Sequence, residues 1–399
     1  MEPTYVYEDL DAAVGRYFNI ESVTRGAGAA KDYITRYTGC LYSEDSATAY
    51  DQLSDQLKPL GATPLFRMDQ NRQVVVLIAA LPVHGTRVRV NILLYVLTAL
   101  SLVFVGYINV AGINFSTQSV RANIGLALAY AASLLAILTA HEFGHYLVGR
   151  YHKSPLSLPF FIPLPLPPMG TMGAVINMRV PPKNRRTLLD IGIAGPLAGL
   201  VVAIPILLYG LSISTLNRLT LTPGSGLGYQ MEGNSILYLL AKLAVFHQIL
   251  PSPVSYGGVP PLLYWLRYFF TGQPFPLGGM DVSIHPIAWA GWVGLLVTSL
   301  NLIPAGQLDG GHMLYVLFGA RGARRVLPFI LVALVLLGFA WNGWWLWAAL
   351  VFFLVGRVYD DPLDQITPLD GKRKILAVLA LVIFILVFTP APILLFGGT

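Results

Sequence analysis

The sequence predicts a mainly α protein, a polytopic transmembrane helical bundle of about 6-7 spans preceded by a small N-terminal α+β soluble domain. Three observations lead there. Of 399 residues, 55% are hydrophobic and only 12% are charged, whereas a soluble globular domain carries about 25% charged residues. The apolar residues gather after residue 85 into segments close to the ~20 residues a bilayer requires. Residues 1–85 differ in kind: they hold 11 of the 20 acidic residues against 7 basic ones, a net charge of −4.

Taken in order, residues 1–85 read as a cytoplasmic module of helix (10–17), strand, strand (32–41), helix (45–60) and hairpin. "TPLFRMDQNRQVVVLIAA" supplies the hairpin, with turn residues between two β-prone runs. No Lys/Arg-led apolar stretch with a small-residue cleavage site opens the chain, so no cleaved signal peptide is expected. The single cysteine, Cys40, excludes an intrachain disulfide. Residues 86–399 form the membrane part. Spans are expected at 90–110, 123–148, 188–209, 286–303, 326–341 and 344–358, with 375–395 as a seventh. The fifth and sixth share a turn at "WNGWW", whose tryptophans suit the interface. Residues 234–250 are apolar but short and contain Lys242 and His247, so an interfacial or capping helix is expected there rather than a span.

The Lys/Arg bias sets orientation. With the N-terminus inside, the inner side receives Arg87, Arg89, Arg150, Lys153, Arg179, Lys183, Arg185, Arg186, Arg321, Arg324, Arg325, Arg357, Lys372, Arg373 and Lys374. The outer side keeps Arg121, Arg218, Lys242 and Arg267.

Within this apolar background, "AILTAHEFGHYLVGRYHK" places His141, Glu142 and His145 near the inner end of the second span. Residues four apart share a helix face, so both imidazoles can reach one metal ion. Glu142 stands beside that metal as a general base for water. Two imidazoles and a carboxylate suit zinc, and ionisable groups inside a span usually mark function. From His141 to Arg150 is roughly 13 Å of helix at 1.5 Å per residue, so the site lies within the bilayer, nearer its inner surface. A third ligand must come from elsewhere. "NLIPAGQLDGGHML" closes the fourth span at the same level; Asp309 is preferred as that ligand and His312 is its rival. Pro304, Gly310 and Gly311 allow unwound backbone to aim the carboxylate, which is tolerated at membrane depth where it lines a cavity. Asn301 is a candidate hydrogen-bond donor to substrate or to a developing oxyanion, or else an interhelical bond.

HEFGH together with "NLIPAGQLDGG" resembles the site-2 protease family of intramembrane zinc metalloproteases. "AGPLAG" (194–199), where small residues permit close helix packing, and the Gly-rich "PMGTMGAVINM" (168–178) extend the likeness over about residues 120–320. The lack of a PDZ-like insertion resembles the branch related to the chloroplast members. The resemblance implies Zn2+ held by His141, His145 and Asp309, with Glu142 as the catalytic base. It also implies a substrate-binding hairpin, with Gly170, Thr171 and Gly173 as candidate contacts. That hairpin has a physical logic of its own: a transmembrane helix must be unwound before attack, and a β-strand edge can receive the extended chain.

The expected reaction is hydrolysis of a single-pass membrane protein near the cytoplasmic side of the lipid bilayer. A catalytically inactive metal-binding scaffold and a metal transporter are the alternatives; a transporter would want ionisable groups on several spans along a path. No nucleic-acid partner is expected, and the N-terminal domain is a candidate for binding a regulator. "MEPTYVYEDLDAA" is too acidic for a transit peptide, which leaves a bacterial plasma membrane with the N-terminus in the cytoplasm as the expected location.

Overall fold

Alternating apolar and polar residues in the first 80 positions build a four-stranded antiparallel sheet. A computed structural model of the chain describes residues 5–26, 33–82, 85, 87–219, 229–355 and 361–396; His84, Arg357 and the end of the expected 344–358 span lie outside them. The N-terminal elements are α1 (Tyr7–Gly15), β1 (Phe18–Arg25), β2 (Thr35–Leu41), α2 (Ser46–Leu57), β3 (Ala62–Asp69) and β4 (Arg72–Ala79). The strands run in the order β1-β2-β4-β3. β3 and β4 form the expected hairpin, turned by Gln70 and Asn71, both at positive φ (46° and 65°), a conformation Asn tolerates better than most residues. Leu10, Val14, Phe18, Tyr37, Leu53, Phe66 and Val75 fill this domain's core.

That core is completed from far along the chain. Leu363 and Ile366 pack against it. Phe66 N–H donates to Leu363 O (2.9 Å), and Gln365 N–H donates to Phe66 O (3.0 Å). On its other side the same segment bonds to the run entering the next long helix: Leu363 N–H donates to Pro182 O (3.0 Å) and Asp364 N–H to Lys183 O (2.7 Å). Asp364 is fully buried, and its carboxylate accepts from Ile366 N–H and Thr367 N–H. Arg67 donates to Pro362 O and Leu363 O, and Lys183 pairs with Asp51. Residues 361–367 therefore form a strap between the N-terminal sheet and the membrane part.

Among the described residues, three helices are long and apolar enough to cross a membrane: α3 (Val88–Ala111), α4 (Thr117–Tyr151) and α5 (Arg185–Ser212). At 1.5 Å per residue even the shortest reaches ~36 Å, more than the ~30 Å hydrocarbon core. Between α4 and α5 lies the hairpin β5 (Phe160–Pro163) and β6 (Thr171–Val175), paired antiparallel. After α5 come β7 (Thr215–Arg218), β8 (Tyr229–Glu232), α6 (Ile236–Phe246), α7 (Pro261–Thr271) and β9 (Met280–Ser283). Then follow α8 (Pro286–Asn301), α9 (Asp309–Leu337), α10 (Gly343–Leu350) continued by a π turn (Val351–Val355), α11 (Gly371–Val387) and β10 (Ile393–Phe396). α4 packs on α5, and α5 on α8, around a core that includes Leu134, Leu138, Leu207, Trp292 and Leu296.

The other expected spans take a different form. α8 has 16 residues and α11 has 17. α9 is broken at Gly319 (φ 69°, ψ 176°), a conformation glycine alone takes cheaply. The last expected span, 375–395, is helical only to Val387. Pro390 and Pro392 cannot continue a helix, and Ile393–Phe396 instead pair with β8. Residues 234–250 contain a helix of 11 residues, too short to span, as expected; Lys242 there is wholly buried rather than interfacial.

Candidate metal centre

α4 ends at Tyr151 with Ser116 capping its start, so His141, Glu142 and His145 fall in its last turns, all three buried. α8 stops at Asn301 and α9 starts at Asp309, and the unwound turn between them carries the Asp309 carboxylate to the histidines. His141 Nε2 lies 3.3 Å from His145 Nε2. Asp309 Oδ2 is 3.5 Å from the former and 3.4 Å from the latter. Four donors about 2.0–2.1 Å from a zinc ion at tetrahedral angles stand roughly 3.3–3.4 Å apart, so the three edges match the face of such a tetrahedron. Two imidazole nitrogens and a carboxylate oxygen are also zinc's usual donor set.

His145 is oriented from behind. Its Nδ1–H donates to Ile191 O of α5 at 2.7 Å, which leaves the Nε2 lone pair free for a metal. α5 approaches closely because it is bare along this face. A Cβ at Gly195 would stand 2.0 Å from His145 Nε2, and one at Gly199 would stand 3.1 Å from His141 Nδ1. A Cβ on Gly144 of α4 would in turn meet Ala194 O at 2.5 Å. The expected role of "AGPLAG" in close packing thus has a specific object, the histidine rings.

Among the described residues, the group of His, Cys, Asp and Glu able to hold one ion here is His141, His145 and Asp309. His312 sits one turn further along α9, buried against Gly192 of α5; it lines the same cavity but stays outside the triangle. Asn301 Nδ2 lies 3.3 Å from His141 Nε2. The cavity is about 610 Å³ and is lined by His141, Glu142, His145, Asn301, Asp309 and, from the hairpin, Ala174, Val175 and Asn177. Gln307, not singled out from the sequence, also lines it; its only sequence signal is its place two residues before Asp309.

Gly170, Thr171 and Gly173 lie at the turn end of the hairpin. Gly170 and Gly173 have φ of 86° and 91°, which a side chain would strain. The Thr171 hydroxyl donates to Ile162 O (2.9 Å) and accepts from Gly173 N–H (3.0 Å). The turn itself is held by the membrane helices: Ser101 Oγ donates to Gly170 O (2.6 Å) and Tyr130 OH to Met169 O (2.6 Å). At the hairpin's other end, Asn91 Nδ2 donates to Pro159 O (2.9 Å). None of these three anchoring side chains was singled out from the sequence. They sit in spans where a lone Asn, Ser or Tyr reads as an ordinary helix residue.

A model of peptidase family M50 matches residues 129–340. Among curated proteins, the chain is 30% identical over 275 residues to "Probable zinc metalloprotease EGY1, chloroplastic" of Arabidopsis thaliana, covering 67% of this chain and 43% of that protein. It is 29% identical over 262 residues to "Probable zinc metalloprotease EGY2, chloroplastic" of the same plant, covering 66% and 41%. The chain thus spans about two fifths of the length of the curated relatives it matches. No solved structure matches. The names place these relatives in chloroplasts, which speaks against the expected bacterial plasma membrane; what stands is a membrane protein. The matched residues hold the HExxH helix, the hairpin, the glycines of α5 and the Asn301–Asp309 turn, and the chain belongs to peptidase family M50, the site-2 protease family.

Proposed function

We propose that this protein is a zinc-dependent intramembrane endopeptidase, cutting a single-pass membrane protein near the Lys/Arg-rich, N-terminal side of the bilayer. The observation that carries this reading is the His141–His145–Asp309 triangle, with edges of 3.3 to 3.5 Å, beside a buried glutamate. A zinc ion bound there would supply Lewis acidity to water and to the scissile carbonyl.

The chain's own groups account for the rest. Ile191 O fixes the His145 tautomer. Glu142 accepts the proton of the attacking water and returns it to the leaving amine. Asn301, beside His141, donates to the substrate carbonyl as charge develops on it. β6 pairs with β5 on one side only among the described residues, and its other edge receives the unwound substrate as an added strand. Gly170, Thr171 and Gly173 shape that strand's entry. The bilayer-spanning reading extends to the full bundle of six to seven spans, with α8, the 320–337 limb of α9, α10 and α11 joining α3, α4 and α5. Division near residue 85 and a regulatory N-terminal domain belong to the same proposal.

The test is zinc content and cleavage together. Wild type in detergent is expected to hold one zinc per chain, lost in Asp309→Ala and kept in His312→Ala. Cleavage of a single-pass reporter in liposomes is expected to fall about 10²-fold or more in Glu142→Gln, in keeping with the worth of a general base. Undiminished cleavage by Glu142→Gln would sink the mechanism, and zinc without cleavage in wild type would favour a scaffold or a transporter.

A further inference from the structure

At the opposite, outer end of α3, α4 and α8 lies a second cavity of about 950 Å³. The paired strands β7 and β9, together with β8, wall it. Its lining includes Glu232 at the end of β8 and Asp281 in β9, which are 7% and 5% exposed. Buried carboxylates demand a partner, because the charged form loses its hydration. Glu232 accepts one hydrogen bond, from Tyr238 OH at 2.7 Å. The one buried cation beside the pair among the described residues is Lys242, whose Nζ lies 3.7 Å from Asp281 Oδ1 and 4.6 Å from the centre of the Tyr238 ring. Lys242 Nζ makes no hydrogen bond, nor does the buried Tyr268 hydroxyl. Two carboxylates thus share one ammonium, leaving the cluster one positive charge short.

The cavity is far larger than a bare ion needs. Tyr130 and Trp289 line it, and such rings accept an alkyl stem or a cation over their faces. Gln230 and Arg218 line it too and are exposed, so the polar rim is wet while the acids lie deeper.

We propose that this outer cavity binds an organic cation, a primary ammonium or a guanidinium on an alkyl stem, with its head at Glu232 and Asp281. The cation has two possible sources: a basic side chain on the outer segment of a membrane-spanning polypeptide, or a free amine. The site is separate from the metal centre and does not depend on the proposed protease reading.

Calorimetric titration of the detergent-purified full chain at pH 8 separates the sources. The probes are Nα-acetyl-lysine methylamide for a polypeptide side chain and agmatine for a free amine, with Nα-acetyl-norleucine methylamide as the uncharged control. Saturable binding of at least one cation is expected, weakened tenfold or more in Glu232→Gln and in Asp281→Asn and unchanged in Glu142→Gln. Binding of the lysine probe points to a polypeptide, and binding of agmatine alone to a free amine. Absence of saturable binding would mean that a proton alone balances the charge and would overturn the proposal. Equal binding of the norleucine control, or by Glu232→Gln, would overturn it as well. Should neither acid variant fold, Arg218→Gln at the exposed rim decides: binding tightened severalfold supports the site, and unchanged or weaker binding overturns it.

Discussion

Gly195 of α5 lies flat against the imidazole of His145, so close that a methyl group at position 195 would stand 2.0 Å from Nε2. The ring cannot yield without leaving the Asp309 carboxylate 3.4 Å away and the Ile191 carbonyl that orients it. Gly195→Ala is therefore predicted to lower zinc affinity and cleavage together by about 10- to 100-fold, the range typical of disturbed outer-shell support. Gly199→Ala should act in the same direction but less, since its methyl would meet His141 Nδ1 at 3.1 Å. Zinc per chain measured beside thermal stability checks this; full zinc occupancy in Gly195→Ala would contradict it.

The hairpin turn hangs on side chains from two different helices. Ser101→Ala deletes its hydrogen bond to Gly170 O, and Tyr130→Phe deletes a short bond to Met169 O and a long one to Pro168 O, a loss of about 1 kcal/mol each. The predicted result is a KM raised roughly fivefold per substitution, the factor that 1 kcal/mol corresponds to, with zinc content and kcat little changed. A fall in zinc instead would show that the hairpin supports the metal centre and not the substrate.

The strap at 361–367 should be needed to close the N-terminal domain. Leu363→Ala uncovers part of its core, at a cost of about 1–2 kcal/mol for a half-buried leucine. Asp364→Ala removes the carboxylate that holds Ile366 N–H and Thr367 N–H, a loss of similar size. Limited proteolysis in detergent should then cut within the first 85 residues much faster than in wild type. Equal protection would mean that the domain's own sheet and helices suffice.

In β8, burial pushes the Glu232 carboxyl up to about 7, and the negative charge of Asp281 pushes the same way, against the pull of Lys242 and the hydrogen bond from Tyr238. The folded state thus holds a proton on Glu232 that the unfolded chain gives up near its ordinary value of 4.5. Its contribution to stability is complete below about pH 4.5 and is lost as pH rises through about 7. The melting temperature of wild type should therefore drop between pH 5 and 8 more steeply than that of Glu232→Gln. Parallel curves for the two would rule the effect out.

Much of the metal centre was legible because its signals are local or topological. HExxH sets two donors on one helix face by spacing alone, and the Lys/Arg bias put Asp309 at the same end of its own span. Ile191 could not be found that way, because what it offers is a backbone carbonyl, which every residue type carries. The outer cluster was missed for another reason. Glu232, Lys242 and Asp281 are spread over 50 positions, and only the pairing of β7 with β9 beside β8 brings the two acids to one cavity, with Lys242 next to Asp281. Lys242 alone looked interfacial, since a single charge in a short apolar helix carries no mark of its partner. The end of the last expected span failed because hydropathy scores "TPAPILLF" as apolar without weighing its two prolines.

The strap also orders events in time. Phe66 is synthesised before α3 to α10, yet the backbone that bonds to both its N–H and its C=O comes from Leu363 and Gln365, after those helices have been made. The edge of the N-terminal sheet stays open while those helices insert, and it is sealed only when the strap arrives. The same strap touches Pro182 and Lys183 at the entrance to α5, the helix whose Ile191 holds His145. Closure of the N-terminal domain thus follows the synthesis of every candidate metal ligand, and a chain halted before residue 363 would carry His141, His145 and Asp309 without the seal.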